Sequence, residues 1–384
     1  MKDNNEALPQ LNELEIYVEA STSREGEIAL FKGPGQDFEL KMFKVRPLRP
    51  GEVLVKNVYT TICGSDLHTY CGLRNEPCPT VLGHEIVGEV LEIAPGHPGI
   101  DLRGRQLEVG DRITWTVFSS DPNSVNSLRG MPQKGDKLYK YGHVQASGHE
   151  VFHGGLATYC ILQPDTGIIK LADTMPLPVA ATLNCSVSTV AGALRMAGNI
   201  KGKTVLITGM GHLGITCAAM CREAGATWIG GADVSAKRLN DALSFGADEV
   251  FDMNADTDVL LRSIIASTGG KGADVVFDMS GAPDAMEFGI AGLGIGGCAI
   301  WVGAVFNTRP LQIDPERIIR SLITIRGIHN YNYEDFQYAF DFMDRNWQKY
   351  PFIEVVEKEF SLDEVEHAFV YAVAHKPLRV GIKF

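Results

Sequence analysis

The sequence predicts a two-domain α/β protein in which an antiparallel β-barrel is combined with a doubly wound parallel sheet. Length is the first reason: 384 residues exceed one ordinary hydrophobic core and suit two domains, one interrupted by the other. The second reason is a change of pattern along the chain. Up to about residue 170 apolar and polar residues alternate between glycine and proline turns, and from about residue 187 short apolar strands alternate with helical segments. Residues 1–186 are therefore expected to form the barrel domain, 187–328 the parallel sheet, and 329–384 a return segment that completes the first domain.

In the first domain, GEIALFKG, FELKMFKVRPLRPGEVLVKNVYTTIC, HEIVGEVLEIAPG and VGDRITW read as strands of a half-buried antiparallel sheet. In the second, TVLITG, ATWIGGAD, DEVFD, ADVVFDMSG, CAIWVGA and ITIRGI read as strands, with helices such as HLGITCAAMCREAG between them. Strands separated by helices make a parallel sheet. The closing LRVGIKF reads as a strand returning to the first domain.

Charge excludes some partners. A formal net charge of −12 and a pI near 5.3 disfavour nucleic acid and anionic membrane, which would repel the chain at long range. No run of about eighteen apolar residues is apparent, and MKDNNEALPQLNELE has neither a basic nor an apolar leader region, so a cytoplasmic location is expected. Eight cysteines scattered over so long a chain suit reduced thiols and metal ligands rather than a disulfide scaffold.

Gly209, Gly211 and Gly214 form GMGHLG, directly after the strand TVLI and at the start of a helix. The first glycine permits a tight turn, the second admits a pyrophosphate against the backbone, and the third allows close helix packing. At His212 and Leu213 the opening helix offers free N–H groups and the positive end of its dipole to phosphate. Asp233 ends the next strand, nineteen residues past Gly214, where its carboxylate can accept hydrogen bonds from the ribose hydroxyls and repel a 2′-phosphate. NAD is therefore expected over NADP, with Lys237 and Arg238 close enough to soften the preference. The alternative is an aspartate that only caps the turn DVSAKR.

Cys63 in TTICGSDLH, His84 in VLGHEIVGEV and Cys185 in AATLNCSVSTV have the chemistry of a catalytic zinc site. Two thiolates and a neutral imidazole balance Zn²⁺ and leave its fourth position open, and an open position makes the metal a Lewis acid that lowers the pKa of an alcohol. Taken singly, a cysteine is more often a small buried apolar group, and His84 beside Glu85 could be a satisfied core pair.

Through CGSDLH, GHEIVGEV, VGDRI, GGLATYC, GMGHLG and LRVGIKF the chain resembles the zinc-dependent medium-chain alcohol and polyol dehydrogenases over nearly its full length. The resemblance implies a GroES-like catalytic domain with an inserted Rossmann domain, the active site in the cleft between them, and one catalytic zinc held by Cys63, His84 and Cys185. It implies further that Asp66 orients the ligand histidine, that Glu85 approaches the metal during ligand exchange, and that Ser65 and His68 pass the alcohol proton to solvent. It also places Arg379 near the cofactor pyrophosphate, alongside Arg238. The reaction implied is hydride transfer between NAD and a small alcohol or aldehyde. The alternatives are a lyase or epimerase that uses NAD transiently, and a non-catalytic nucleotide-binding protein.

Relatives of this kind commonly hold a second, structural zinc with four cysteines spaced C-x2-C-x2-C-x7-C. Here those positions fall on Asp121, Ser124, Ser127 and Gly135, so the structural zinc is expected to be absent and the lobe held by turns at DPNS and RGMP. LHTYCGLRNEPCPTVLGHEIVGEV, GMPQKGDKLYKYGH and GIHNYNYEDFQYAFDFM are most similar to the subgroup described as phosphonate-catabolism-associated alcohol dehydrogenases. That similarity implies a hydroxyalkylphosphonate substrate, with Arg74, Lys134, Lys140 and His153 as candidate cations; a phosphorus-free polyol or simple alcohol is the alternative. A homodimer or homotetramer is expected, paired through CAIWVGAVF as an otherwise exposed sheet edge.

Overall fold

The computed structural model describes residues 24–384. The opening stretch MKDNNEALPQLNELE lies outside the described residues.

Two sheets organise the molecule. The first is built on the ten-residue strand Val53–Ile62, which pairs antiparallel with Glu85–Ile93 and, over its first half, with Tyr159–Leu162. Arg112–Trp115 and Ile168–Lys170 extend it on the far side of Glu85–Ile93. The strand Arg379–Lys383 comes back from the end of the chain to pair antiparallel with Tyr59–Ile62. Val53, Val55, Ile86, Val90 and Trp115 fill one side of this sheet, which is why its strands carry branched apolar residues.

The second sheet has six parallel strands and helices on both faces, the doubly wound arrangement predicted. Thr204–Thr208 lies near its middle, flanked by Trp228–Asp233 and Ala273–Asp278. The order of connection reverses on either side of Thr204–Thr208, and ligands bind in the crevice that such a reversal opens at the carboxyl ends of the strands. Together the two sheets give the mixed α/β fold, GroES-like domain plus Rossmann-like sheet.

One expectation changes here. CAIWVGAVF is not a sheet edge: Leu293–Trp301 lies between Ala273–Asp278 and Thr324–Gly327, and Thr324–Gly327 forms the edge. Its apolar residues are explained by burial between two neighbours. The helical run Leu177–Ala197 is long and apolar enough to cross a membrane by length and composition, with mean hydropathy 1.4 over eighteen of its residues, but 83% of that stretch is buried inside the protein. Thr, Asn and Ser interrupt it, so it contains no unbroken apolar run.

Candidate active site

Each candidate metal ligand reaches the site from a different local structure. Cys63 follows the strand Val53–Ile62 and caps the short helix Gly64–Tyr70. His84 immediately precedes the strand Glu85–Ile93. Cys185 sits on the π-helical turn Leu183–Val187 inside the helical run 177–197. A π turn adds one residue to the helix and redirects the side chains at that level, a recurrent device at functional sites.

The Sγ atoms of Cys63 and Cys185 and a ring nitrogen of His84 lie within 4.8 Å of one another, among buried or half-buried side chains. Asp66 supports this trio from behind. Its Oδ2 accepts from the Cys63 backbone N–H at 2.9 Å, its Oδ1 accepts from Gly83 N–H at 3.3 Å, and Oδ1 stands 3.2 Å from His84 Nδ1. The carboxylate thus occupies the Nδ1 side of the imidazole and leaves Nε2 facing the cysteines. Ser65 Oγ lies 3.3 Å from that Nε2. Burial pulls the His84 pKa down, but the Asp66 carboxylate outweighs it and holds the ring well above its usual value. The Cys185 thiol and the Arg379 guanidinium hold Cys63 well below the usual thiol value, so the pair retains one thiolate. Two sulfurs, one oriented imidazole and a supporting carboxylate fit zinc, which would be held by Cys63, His84 and Cys185.

The nucleotide end is equally specific. A Cβ on Gly209, whose φ is +90°, would lie 2.7 Å from Ser280, and one on Gly214 would lie 2.0 Å from the Gly209 carbonyl oxygen. Those two glycines are required by packing within the protein. A Cβ on Gly211 would meet nothing nearer than Arg238 Nη1 at 3.9 Å, so the protein itself does not fill the space in front of it. The buried ring of His212 has no hydrogen-bond partner on either nitrogen, and burial keeps it neutral, well below its usual pKa. An open cradle over a helix N-terminus and an unpartnered polar ring beside it fit a dinucleotide.

Asp233 serves this loop directly: its Oδ2 accepts from Met210 N–H at 2.6 Å and its Oδ1 from Ser235 N–H at 2.9 Å. The capping reading is therefore real, yet Asp233 also lines the cleft and each oxygen keeps acceptor capacity. Leu213 and Arg238 line the same cleft. Lys237 is turned away from it, paired with Glu357 at 2.6 Å, so it does not soften the charge at Asp233.

Arg379 lines the cleft but grips Glu85, with Nε and Nη2 at 2.7 and 2.8 Å from the two carboxylate oxygens and Nη2 3.7 Å from Cys63 Sγ. Glu85 also accepts from Thr61 Oγ1. Both side chains are thus engaged with one another beside the cysteine trio. One helical turn beyond Ser65, His68 lines the cleft with its ring 4.5 Å from that of Phe306, and burial lowers its pKa.

A single cleft of about 680 Å³ contains both ends of this machinery, from Cys63, His84 and Cys185 to the glycine loop. Its remaining wall holds residues that sequence reasoning missed. His143 packs its ring 4.9 Å from that of His84, and its Nδ1 lies 3.2 Å from Glu76, which also holds Arg74 at 2.7 Å. His329 and Asn330, which line the cleft, contact Lys134 and Lys140 respectively. Apart from Arg74 with Glu76, these contacts have no local sequence signal, because the partners are brought together from distant parts of the chain. Arg74 and Lys140 line the cleft as anticipated, whereas His153 is buried behind it.

The lobe also assembles. Ser124 and Ser127 hydroxyls lie 2.9 Å apart, Ser127 Oγ donates to the Asp121 carbonyl at 2.7 Å, and Ser120 Oγ donates to the Pro132 carbonyl at 2.7 Å. A Cβ on Gly135 would fall 2.5 Å from Ser127 Oγ and 2.9 Å from Ser124 Oγ. The positions matching the structural-zinc cysteines therefore converge on a hydroxyl network.

Comparison with known proteins agrees with this geometry. Residues 212–345 match the model of the zinc-binding dehydrogenase family, and residues 49–173 match the alcohol dehydrogenase GroES-like domain. The L-threonine 3-dehydrogenase of Pyrococcus horikoshii is 33% identical over 300 residues, covering 77% of this chain and 80% of that protein. The sorbitol dehydrogenase of Halalkalibacterium halodurans is 29% identical over 326 residues, covering 83% of this chain and 87% of that one. The crystal structure of an alcohol dehydrogenase from Thermotoga maritima superposes with a TM-score of 0.88 at 25% identity, covering 94% of this chain and all of that one. The chain belongs to the zinc-dependent medium-chain alcohol dehydrogenase family. It is a nicotinamide-dependent oxidoreductase of the alcohol and polyol dehydrogenase type, acting on a small-molecule alcohol.

Proposed function

We propose that this enzyme oxidises a hydroxyalkylphosphonate with NAD, or reduces the corresponding carbonyl compound with NADH. The carrying observation is the single cleft lined by the Cys63–His84–Cys185 trio, the glycine loop and a wall bearing Arg74 and Lys140. Oxidation moves a hydride from the carbinol carbon to the nicotinamide and a proton from its hydroxyl to solvent. Zinc, when bound, supplies the Lewis acidity that makes the hydroxyl acidic near neutral pH.

The chain's own residues do the rest. Asp66 orients His84 so that Nε2 faces the metal position. The hydroxyl of Ser65, beside that nitrogen, is the first proton acceptor, and His68, kept neutral by burial, is the next on the way to solvent. Gly211 admits the pyrophosphate and Arg238 offers it a cation. Asp233 favours NAD by receiving the ribose hydroxyls, and Arg379 holds Glu85 beside the metal position. Zinc content should be one ion per chain, because the lobe of Asp121, Ser124, Ser127 and Gly135 has no thiolate. Homo-oligomerisation through the last strands of the parallel sheet belongs to the same reading.

A threonine substrate is the reading suggested by the relatives' names. It fits this cleft less well, because the cations that would receive a carboxylate also repel an ammonium group. The test is NADH formation by zinc-loaded enzyme with a hydroxyalkylphosphonate, L-threonine and a neutral alcohol of matched length. The phosphonate should have the largest kcat/KM; preference for threonine or the neutral alcohol would overturn the assignment of substrate.

A further inference from the structure

Two lysines, Lys140 lining the cleft and Lys134 beside it, lack the partners that lysines ordinarily find. Lys134 Nζ lies 2.7 Å from His329 Nδ1, and Lys140 Nζ lies 2.9 Å from Asn330 Oδ1. Both partners are neutral: burial and the nearby cations push the His329 pKa down to about 3. Among the described residues no carboxylate stands within ion-pair distance of either ammonium, and Glu76, the nearby acid, is already shared by Arg74 and His143. Burial first, and then the charges of Lys134 and Arg74, push Lys140 down to about 8 against the opposing pull of Glu76.

The placement of these charges gives them a use. A second hollow of about 610 Å³, lined by Lys134, adjoins the main cleft and shares Arg74, Val302, Ile328 and His329 with it. Lys134 closes the 3-10 turn Pro132–Lys134 of the lobe, and Lys140 ends the short strand that follows. The serine network holds this lobe in shape, with Asn126 Nδ2 donating to the Lys134 carbonyl at 2.8 Å. The lobe and the strand after it thus bring Lys134 to this hollow and Lys140 to the main cleft beside it.

We propose that the lobe is a substrate-recognition arm, and that Lys134, Lys140, Arg74 and His329 form a subsite for a terminal phosphoryl dianion. The proposal rests on the hydroxyalkylphosphonate reading above and adds the lobe, Lys134 and His329 as parts that recognise the dianion. The dianion can come from a phosphonate or from a phosphate monoester; both present three oxygens to ammonium and guanidinium donors. A carboxylate offers one charge and two oxygens, fewer than the site can use.

The experiment uses the full-length, zinc-loaded protein with NAD. Binding of methylphosphonate is measured by calorimetry to the unsubstituted protein, to Lys134→Met and Lys140→Met, and to Lys137→Met as a control. Lys137 is an exposed lysine of the same lobe, paired with Asp121. Each of the first two variants should weaken methylphosphonate binding about tenfold or more, the scale of a charge-assisted hydrogen bond, and Lys137→Met should not. The ratio of kcat/KM between a hydroxyalkylphosphonate and the matched neutral alcohol should fall in step, mainly through KM. A hydroxyalkyl phosphate ester and a hydroxycarboxylate of equal reach identify the source: preference for either phosphorus compound supports the subsite, and preference for the carboxylate overturns it. Equal methylphosphonate affinity in all four proteins, or no binding, also overturns it. Lysine-dependent methylphosphonate binding with no kcat/KM advantage for the hydroxyalkylphosphonate over the neutral alcohol would leave the subsite standing and remove the proposed substrate instead.

Discussion

Asp66→Asn should weaken zinc binding while leaving the fold intact, and the geometry sets the size of the effect. Asp66 is 1% exposed and divides its two oxygens between three groups: Oδ2 serves Cys63 N–H, and Oδ1 serves Gly83 N–H and faces His84 Nδ1 at 3.2 Å. Asparagine has one carbonyl oxygen. If that oxygen keeps the Cys63 N–H, the amide NH₂ faces two donors, and His84 can relieve the clash only by moving its proton to Nε2, the nitrogen that must bind the metal. If the oxygen turns to His84 instead, the NH₂ meets Cys63 N–H and the capping interaction at the start of Gly64–Tyr70 is lost. Losses of this kind behind a ligand histidine cost about 10–100-fold in metal affinity, or about 1.4–2.7 kcal/mol. Competition with a chromophoric chelator measures the zinc affinity directly, and the thermal midpoint of the metal-free protein reports any general damage. Unchanged zinc affinity in Asp66→Asn would refute the argument that this carboxylate fixes the histidine tautomer. So would a fall in the metal-free midpoint large enough to account for the loss.

The glycine loop offers a paired test: Gly214→Ala should lower the thermal midpoint, because its Cβ would lie 2.0 Å from the Gly209 carbonyl oxygen, whereas Gly211→Ala should leave the midpoint unchanged and weaken NADH binding about tenfold or more, read by nucleotide fluorescence. Asp233→Ser should raise the kcat/KM ratio of NADP to NAD by removing the carboxylate that repels a 2′-phosphate; an unchanged ratio would reduce Asp233 to its hydrogen bonds with Met210 and Ser235. Lys140 is charged below about pH 8 and loses its charge above it, in an environment set by Lys134, Arg74, Glu76 and Cys185. The preference for an anionic over a neutral alcohol should therefore decline as pH rises through 8, and the decline should disappear in Lys140→Met. Metal analysis should find one zinc per chain, and two tightly bound ions would show that the Asp121–Gly135 lobe is not metal-free.

Much of the fold was legible because it is written in short-range patterns. Period-two alternation marked Val53–Ile62 and Glu85–Ile93, and the strand–glycine–helix sequence around Gly209 marked the nucleotide crevice before any contact was known. Periodicity is weaker at strand edges: CAIWVGAVF reads the same whether it is an edge or lies between two neighbours, and only the pairing with Thr324–Gly327 decides it. The helical run 177–197 shows the same limit, since its interior position rather than its composition makes it a core helix.

The sequence by itself determined the candidate site groups: two cysteines and a histidine of metal-ligating type, three glycines around a strand-to-helix turn, and an aspartate at the next strand end. Those assignments depend on residue chemistry and local spacing, which the chain carries explicitly. The tertiary structure decided which charges face one another. It set Arg379 on Glu85, turned Lys237 toward Glu357 and buried His153. It also brought Lys134 and Lys140 to His329 and Asn330 across nearly two hundred residues of chain. Electrostatic interactions fall with distance in space, and distance in space between remote segments exists only once both sheets and the lobe have packed.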